Sequence, residues 1–210
     1  YKNSKITNKN NSTYSNVRTY KEFVSDPKFL QAMVAATFGY VVMAFLMTAT
    51  PISMHYVHKL SVDKVGLVIQ FHVLGMFLPS LFTGNLIKRF GFSNIMYTGV
   101  FFYALTISLS LFEPTFINYF ASLIFLGIGW NFLYISGTSL LVTTYNEQEK
   151  FKAQGFNDLI IFSATAIGSL SAGILISLLS WKIVNFMCIP FLIIILFVIL
   201  RADIKKAPAN

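Results

Sequence analysis

The chain has 210 residues, of which 55% are hydrophobic and 11% are charged, and its mean hydropathy is +0.65. Soluble domains carry about 25% charged residues, so this composition excludes a soluble globular protein, a disordered chain and a nucleic-acid-binding domain. The net charge of +8 comes from residues too sparse to follow a phosphate backbone. Because one helix needs about 20 apolar residues to span a bilayer, the chain holds material for five or six spans.

Residues 1–28 form a polar N-terminal stretch, rich in Asn, Ser, Thr and Lys. It contains too little apolar material to build a core. Two interpretations are open: a flexible tail, or a linker within a longer chain. Because the sequence opens with Tyr1 and not with Met, we favour the linker.

Six long runs that are free of charge except at their ends follow this stretch. Lipid offers the backbone no hydrogen-bond partner, so each run must be a helix or a barrel strand, and the runs are too long and too uniformly apolar for barrel strands. We therefore predict an all-α integral membrane domain over residues 29–201, followed by a tail at 202–210. The predicted transmembrane helices are about 29–54, 65–87, 92–112, 115–144, 158–181 and 183–200. Pro51 is expected to bend or end the first of them.

Lys and Arg residues are divided unequally between alternate loops. Thirteen lie in the N-terminal stretch, in the turns after the second and fourth runs and in the tail, against three in the other turns. Basic residues mark the cytoplasmic side, so both termini are predicted to be cytoplasmic. Short turns make neighbouring helices antiparallel, which gives two three-helix units of opposite orientation, a nested 3+3 inverted repeat.

Polar side chains inside the runs are functional candidates, because polar groups at membrane depth are costly. His72 follows Gln70 by two residues in the second run. Its imidazole is either a protonatable or solute-binding group in a water-filled cavity, or a neutral group hydrogen-bonded to a neighbouring helix. The sequence leaves both possibilities open.

The fourth run carries the richest constellation. Asn131, Tyr134 and Thr138 follow Gly127 at spacings of three or four residues and share one helix face, with Trp130 beside them. An amide, a phenol and an indole can hydrogen-bond a ligand and stack on its apolar part, and Tyr40 of the first run is a further candidate for the same cavity. The alternative is that these side chains only join helices.

Asp158 stands at the start of the fifth run, close in sequence to Lys150 and Lys152. One interpretation makes it a proton-coupling carboxylate or half of an ion pair at a cytoplasmic gate. The other, which we favour, makes it an acidic group at a helix N-terminus, where the helix dipole stabilises it.

The turn after the second run, residues 84–91 (GNLIKRFG), resembles the G-x-x-x-D-[RK]-x-G loop motif of the major facilitator superfamily. The motif positions are Gly84, Lys88, Arg89 and Gly91. Lys88 stands where the motif usually has Asp, so the gating role of this copy lacks its anionic partner. Further segments are similar to helices eight, ten and eleven of a bacterial subgroup: residues 68–75, 127–138, 154–158 and 181–185.

This resemblance covers roughly residues 29–200 and implies the C-terminal six-helix half of a twelve-helix secondary transporter in a bacterial inner membrane. Residues 1–28 would then be the central cytoplasmic loop, and the N-terminal half would be missing from this sequence. The implied partners are the lipid bilayer and a small-molecule solute, with a proton as candidate coupling ion. No P-loop, metal cluster or nucleophile–base pair indicates an enzyme or a cofactor. The alternative is a self-standing six-helix scaffold or membrane-embedded enzyme.

Overall fold

The structure, a computed structural model, describes residues 17–205, so residues 1–16 of the predicted linker and 206–210 of the predicted tail lie outside the described residues. Within 17–205 the regular elements are helices, without strands. Six helical segments are long and apolar enough to cross a membrane, which confirms the predicted all-α fold with six transmembrane helices. In chain order, these first to sixth spans are Pro27–Val57, Val62–Phe90, Phe92–Leu109, Phe116–Val142, Lys150–Leu178 and Trp181–Ile204.

Three of the spans are interrupted, each at or next to a proline. Proline lacks a backbone N–H and its ring clashes with the preceding helical turn, which explains the interruptions at Pro51, Pro79 and Pro190. The first span changes at Pro51 from an α-helix to a π-helical turn, as the sequence predicted. The pieces are Pro27–Pro51 and Ile52–Val57 in the first span, Val62–Phe77 and Ser80–Phe90 in the second, and Trp181–Phe186 and Ile189–Ile204 in the sixth.

The fifth span begins at Lys150 and not at residue 158. Its first two turns carry charged side chains, so a boundary drawn at the edge of the charge-free run falls too late. Ala153 and Asn157 are nevertheless buried against the other helices, and this packing continues the helix towards its start.

The first and fourth spans form the centre of the bundle. The first packs against the fourth, fifth and sixth, the fourth against the first, second and third, and the third also contacts the sixth. Small residues bring the two central helices close together: a Cβ added to Gly39 would lie 2.9 Å from the Leu133 Cβ, and one added to Gly137 would lie 2.8 Å from the Ala32 carbonyl oxygen. The second and fifth spans are left on the flanks.

Side-chain hydrogen bonds show which helix ends lie together. The Gln31 Nε2 donates to the Ser93 Oγ at 3.0 Å, and the Ser93 Oγ donates to the Asp203 Oδ1 at 2.7 Å. These bonds join the starts of the first and third spans to the end of the sixth, which we call the terminal end of the bundle. At the opposite end, the Ser53 Oγ lies 2.6 Å from the Tyr119 Oη. The spans therefore run up and down, and residues 17 and 205 lie at the same end.

Residues 17–26, within the predicted linker, hold a short helix packed against the bundle. The helix Tyr20–Ser25 begins with a capping box, in which Thr19 and Glu22 satisfy each other's backbone N–H groups. Before it, the Arg18 Nε donates to the Glu149 Oε1 at 2.8 Å, next to the start of the fifth span. This part of the stretch is therefore attached to the helical bundle.

Candidate functional site

Three aromatic side chains meet midway along the first and fourth spans. The rings of Trp130 and Tyr134 are stacked, with centroids 5.0 Å apart and planes 10° from parallel. Tyr40 stands edge-on to both, 5.5 Å from Trp130 and 5.3 Å from Tyr134. Stacked and edge-to-face pairs are the arrangements that the ring quadrupoles favour. We call Tyr40, Trp130 and Tyr134 the aromatic cluster.

The aromatic cluster lies at an open surface between the two flanking spans. Phe77 of the second span lies 6.1 Å from the Trp130 ring, and Phe162 of the fifth span lies 6.4 Å from the Tyr40 ring. These two phenylalanines are 59% and 57% exposed, whereas Trp130 is 6% exposed. The five rings therefore form a shallow aromatic surface with a buried floor and exposed edges.

Besides the hydroxyl groups of Tyr40 and Tyr134, the aromatic cluster contains one polar atom that is buried without a partner among the described residues. The Nε1 of Trp130 is buried and has no hydrogen-bond partner within the described part of the chain. A buried indole N–H normally donates to an acceptor, so this donor is unsatisfied in the structure. Residues 17–205 contain no group of three His, Cys, Asp or Glu residues that could hold a metal ion. The chemistry that the aromatic cluster itself provides is stacking and hydrogen bonding.

Asp158 lies on the same face as the aromatic cluster, on the fifth span. It is exposed, one helical turn before Phe162, and within electrostatic range of Tyr134. Because the helix begins at Lys150, the favoured interpretation of Asp158 as a residue at a helix N-terminus is wrong. The neighbouring ammonium of Lys152 donates instead to the Arg18 carbonyl oxygen at 2.7 Å.

Asn131 lies in the contact between the second and fourth spans. It is fully buried, and its Nδ2 donates to the Met76 carbonyl oxygen at 2.6 Å and to the Ser80 Oγ. Its Oδ1 accepts from the Thr83 Oγ1 at 2.6 Å. Every contact that the structure gives its amide is therefore with the second span, and Asn131 lies behind the aromatic cluster.

The predicted constellation on the fourth span faces two different neighbours because it covers a wide arc of the helix. At about 100° per residue, its members spread over an arc of about 100°. Trp130 and Tyr134 lie at one edge, towards Tyr40, while Asn131 lies at the other edge, towards the second span. Gly127 lies between them, where an added Cβ would come within 2.6 Å of the His72 carbonyl oxygen.

The remaining candidates inside the spans lie outside the aromatic cluster. His72 is fully buried, and its Nδ1 lies 2.7 Å from the Leu123 carbonyl oxygen, so it joins the second span to the fourth. Its Nε2 is buried without a partner among residues 17–205. Gln70 is exposed on the second span. The Thr138 Oγ1 donates to the Tyr134 carbonyl oxygen of its own helix at 2.8 Å.

The residues of the loop motif lie at the terminal end, away from the aromatic cluster. Gly84, Lys88 and Arg89 are exposed on the helix Ser80–Phe90, which ends where Gly91 adopts a φ of +84°. The Gly91 N–H donates to the Ile87 carbonyl oxygen at 2.8 Å. Lys88 and Arg89 make no ion pair with any residue in the described part of the chain.

Phe77 and Phe162 belong to the surface but were not predicted from the sequence. The chain has 22 phenylalanines, and neither residue stands out by spacing or by its neighbours. Only the packing of the second and fifth spans beside the central pair brings these rings to Trp130 and Tyr40.

Comparisons with known proteins agree on one family. The family model of the Major Facilitator Superfamily matches residues 29–210. The riboflavin transporter RfnT of Brucella anthropi is 38% identical over 207 residues, which cover 98% of this chain and 52% of that protein. The uncharacterized MFS-type transporters YdeG and YddS of Bacillus subtilis (strain 168) are 36% and 31% identical over 65% and 69% of this chain, and over 32% and 34% of their own lengths. The chain thus spans about half the length of RfnT and about a third of the other two. No solved structure matches.

Proposed function

Because the chain belongs to the major facilitator superfamily, we propose that it takes part in secondary active transport of a small solute, which contacts the aromatic cluster. The observation that carries this proposal is the position of the cluster. It lies midway along the spans and opens between the second and fifth of them. Secondary transporters bind their solutes near the bilayer midplane, between structural repeats.

The shape of the aromatic surface favours a second protein surface on the opposite side of the solute. The aromatic surface is shallow and exposes Phe77 and Phe162, so a solute resting on it needs a second wall. We propose that residues 29–201 are the C-terminal half of a longer transporter and residues 1–28 the loop before it. The coverage of 52% of RfnT supports this proposal. Rocking of the two halves about the solute would then give alternating access.

The packing of the spans supports a nested inverted repeat. Exchanging the first with the fourth span, the second with the fifth and the third with the sixth reproduces the main contacts. The first span's contact with the fifth becomes the fourth's contact with the second, and its contact with the sixth becomes the fourth's contact with the third. Two three-helix units, inserted in opposite orientations, would produce this pattern.

We propose a flat aromatic solute, with riboflavin as the first candidate. The name of the relative RfnT supplies the candidate, and the stacked rings of Trp130 and Tyr134 suit a planar ring system. The unsatisfied Nε1–H of Trp130 would donate to a carbonyl oxygen of such a ring once the side chains that cover it shift.

Uptake of riboflavin by the full-length protein in proteoliposomes tests this site. One aromatic pair contributes about 0.5–1.5 kcal/mol, so we expect Trp130→Ala and Tyr134→Ala each to raise KM about two- to tenfold. Phe101→Ala is the matched control, because Phe101 is an exposed aromatic residue of the third span outside the cluster. An unchanged KM in both cluster variants would remove the assignment.

A further inference from the structure

The break in the second span lies beside the aromatic cluster. The helix Val62–Phe77 ends before Leu78, and the helix Ser80–Phe90 begins after Pro79. In a continuous helix the Met76 carbonyl oxygen would accept from the backbone N–H of Ser80. Here it accepts from the side chain of Asn131 on the fourth span. A residue of another helix thus replaces the hydrogen bond that the break removes.

Asn131 holds both sides of this break. Its Nδ2 donates to the Met76 carbonyl oxygen before the break and to the Ser80 Oγ after it. Its Oδ1 accepts from the Thr83 Oγ1, one turn further on. The amide is fully buried, so no water competes for these bonds.

The helix after the break has few other attachments. Within Ser80–Phe90 only Thr83 and Ile87 are buried. Thr83, one of these two anchors, is the residue that donates to Asn131. The angle of this helix relative to Val62–Phe77 therefore depends strongly on the Asn131 amide.

The same residue adjoins the aromatic cluster. Asn131 follows Trp130 directly on the fourth span, and Phe77, the last residue before the break, packs against the Trp130 ring. A shift of the Trp130 ring therefore affects residues that adjoin the break.

We propose that Asn131 is a positioning residue that fixes the angle across the break in the second span and transmits solute contact at Trp130 to the helix Ser80–Phe90. The transmission rests on the proposed transport function, whereas the fixing of the angle does not. The affected helix carries the loop motif with Lys88 and Arg89 at the terminal end, so solute contact at mid-depth would reach that end of the bundle.

Distances between spin labels on the two sides of the break test the first part. Leu67→Cys and Asn85→Cys place labels at exposed positions about 27 Å apart along a helix. The background carries Cys188→Ala, which removes the single cysteine of this sequence, and has every cysteine of the rest of the full-length protein replaced. We expect a narrow distance distribution in this labelled full-length protein. Asn131→Leu should broaden it, and the milder Thr83→Val should broaden it less.

Asn118→Leu is the matched control for the distance measurement. Asn118 lies at the start of the fourth span, far from the break, and its Nδ2 donates to the Glu113 carbonyl oxygen at 2.6 Å. This variant should keep the narrow distribution. An equally narrow distribution in Asn131→Leu would overturn the proposal. If Asn131→Leu does not fold, an unbroadened distribution in both Thr83→Val and Ser80→Ala would overturn it.

Riboflavin uptake by the same variants tests the transmission. A residue that positions a moving helix should change the turnover step, so we expect Asn131→Leu to lower kcat about tenfold while KM changes less than about twofold. A raised KM with unchanged kcat would make Asn131 a solute contact and overturn the positioning role. If the unmodified protein transports no riboflavin, the proposed solute fails, and the distance measurement decides the role of Asn131.

Discussion

At the scale of single residues, Asp158 gives the aromatic surface a charge. Its carboxylate is exposed one turn before Phe162, and Asn157 donates to it at 3.2 Å. Carboxylates within membrane spans are costly and typically mark the path of a proton, an ion or a polar solute. Because Asp158 faces the same surface as the solute would, it is a candidate coupling group of the proposed transporter.

Asp158→Asn tests this role. If the carboxylate carries the coupling proton, riboflavin uptake driven by a pH gradient should fall about tenfold or more, since the amide cannot release a proton. Exchange of riboflavin across the membrane without a gradient should continue. Asp63→Asn, an exposed residue in the first turn of the second span, should leave both rates unchanged. Undiminished gradient-driven uptake by Asp158→Asn would exclude the role.

Adding one carbon atom at Gly127 tests how closely the second and fourth spans pack. A Cβ there would lie 2.6 Å from the His72 carbonyl oxygen and 2.9 Å from the Met76 backbone nitrogen. These are backbone atoms, which cannot move without separating the second and fourth spans. We expect Gly127→Ala to destabilise the protein by about 1–3 kcal/mol.

The matched control for Gly127 is Gly155→Ala. Gly155 lies in the fifth span with no atom within 4 Å of an added Cβ, so alanine should be neutral or stabilise by up to about 1 kcal/mol. Thermal unfolding of both variants in detergent measures the difference. Equal unfolding midpoints would mean that the second and fourth spans are not in close contact at Gly127.

At the scale of elements, an ion pair attaches the N-terminal helix to the start of the fifth span. The Arg18 side chain donates to both oxygens of the Glu149 carboxylate, which is 5% exposed. These bonds, with those from the backbone N–H groups of Arg18 and Asn146, lower the pKa of Glu149 from 4.5 to about 2.

The sign of this shift fixes the pH dependence of the attachment. A lowered carboxyl pKa stabilises the folded protein fully above pH 4.5, and the stabilisation is lost as the pH falls through about 2. Glu149→Gln should therefore lower the unfolding midpoint at pH 7 and flatten its decline between pH 4.5 and 2. Glu147→Gln, an exposed neighbour in the same turn, is the control and should follow the unmodified protein in thermal unfolding.

The sequence predicts the number and order of the spans well because the apolar runs contain charged residues only at their ends. It places the start of the fifth span too late, because Lys150 and Lys152 belong to a helix that continues past the apolar run. It also treats the second span as continuous. Pro79 is visible in the sequence, but only the structure shows that Asn131 of the fourth span hydrogen-bonds to the carbonyl oxygen that the break leaves without its helical partner.

The candidate site is predicted in part. The structure brings Tyr40, Trp130 and Tyr134 together because they lie at the same depth on sides of the two central spans that face each other, and their contact with a solute stays a prediction. Their separation from Asn131 could not be predicted, because the sequence does not show which neighbouring helix each side of the fourth span faces. The contribution of Phe77 and Phe162 depends on the packing of flanking helices, which single-helix periodicity does not contain.

At the scale of the whole molecule, the two described ends share one end of the bundle, which we propose to be cytoplasmic. Glu147 and Glu113 offer a matched test, since both are exposed in turns at opposite ends. In intact cells, a membrane-impermeant maleimide should label Glu113→Cys and spare Glu147→Cys, in a background in which Cys188 and every cysteine of the rest of the full-length protein are replaced. Glu147→Cys should react only after permeabilisation. The reverse pattern would invert the proposed orientation.

The packing of the two central spans has a consequence for synthesis. The first span lies mainly against the fourth, fifth and sixth, which are made after it, and the fourth lies between helices made before it. A nascent chain that has inserted only the first three of these spans therefore lacks the fourth span, against whose Leu133 Gly39 packs. We therefore expect the first span to reach its final packing only after the fourth span has been made, and a chain that stops earlier to leave that packing face of the first span uncovered by the fourth.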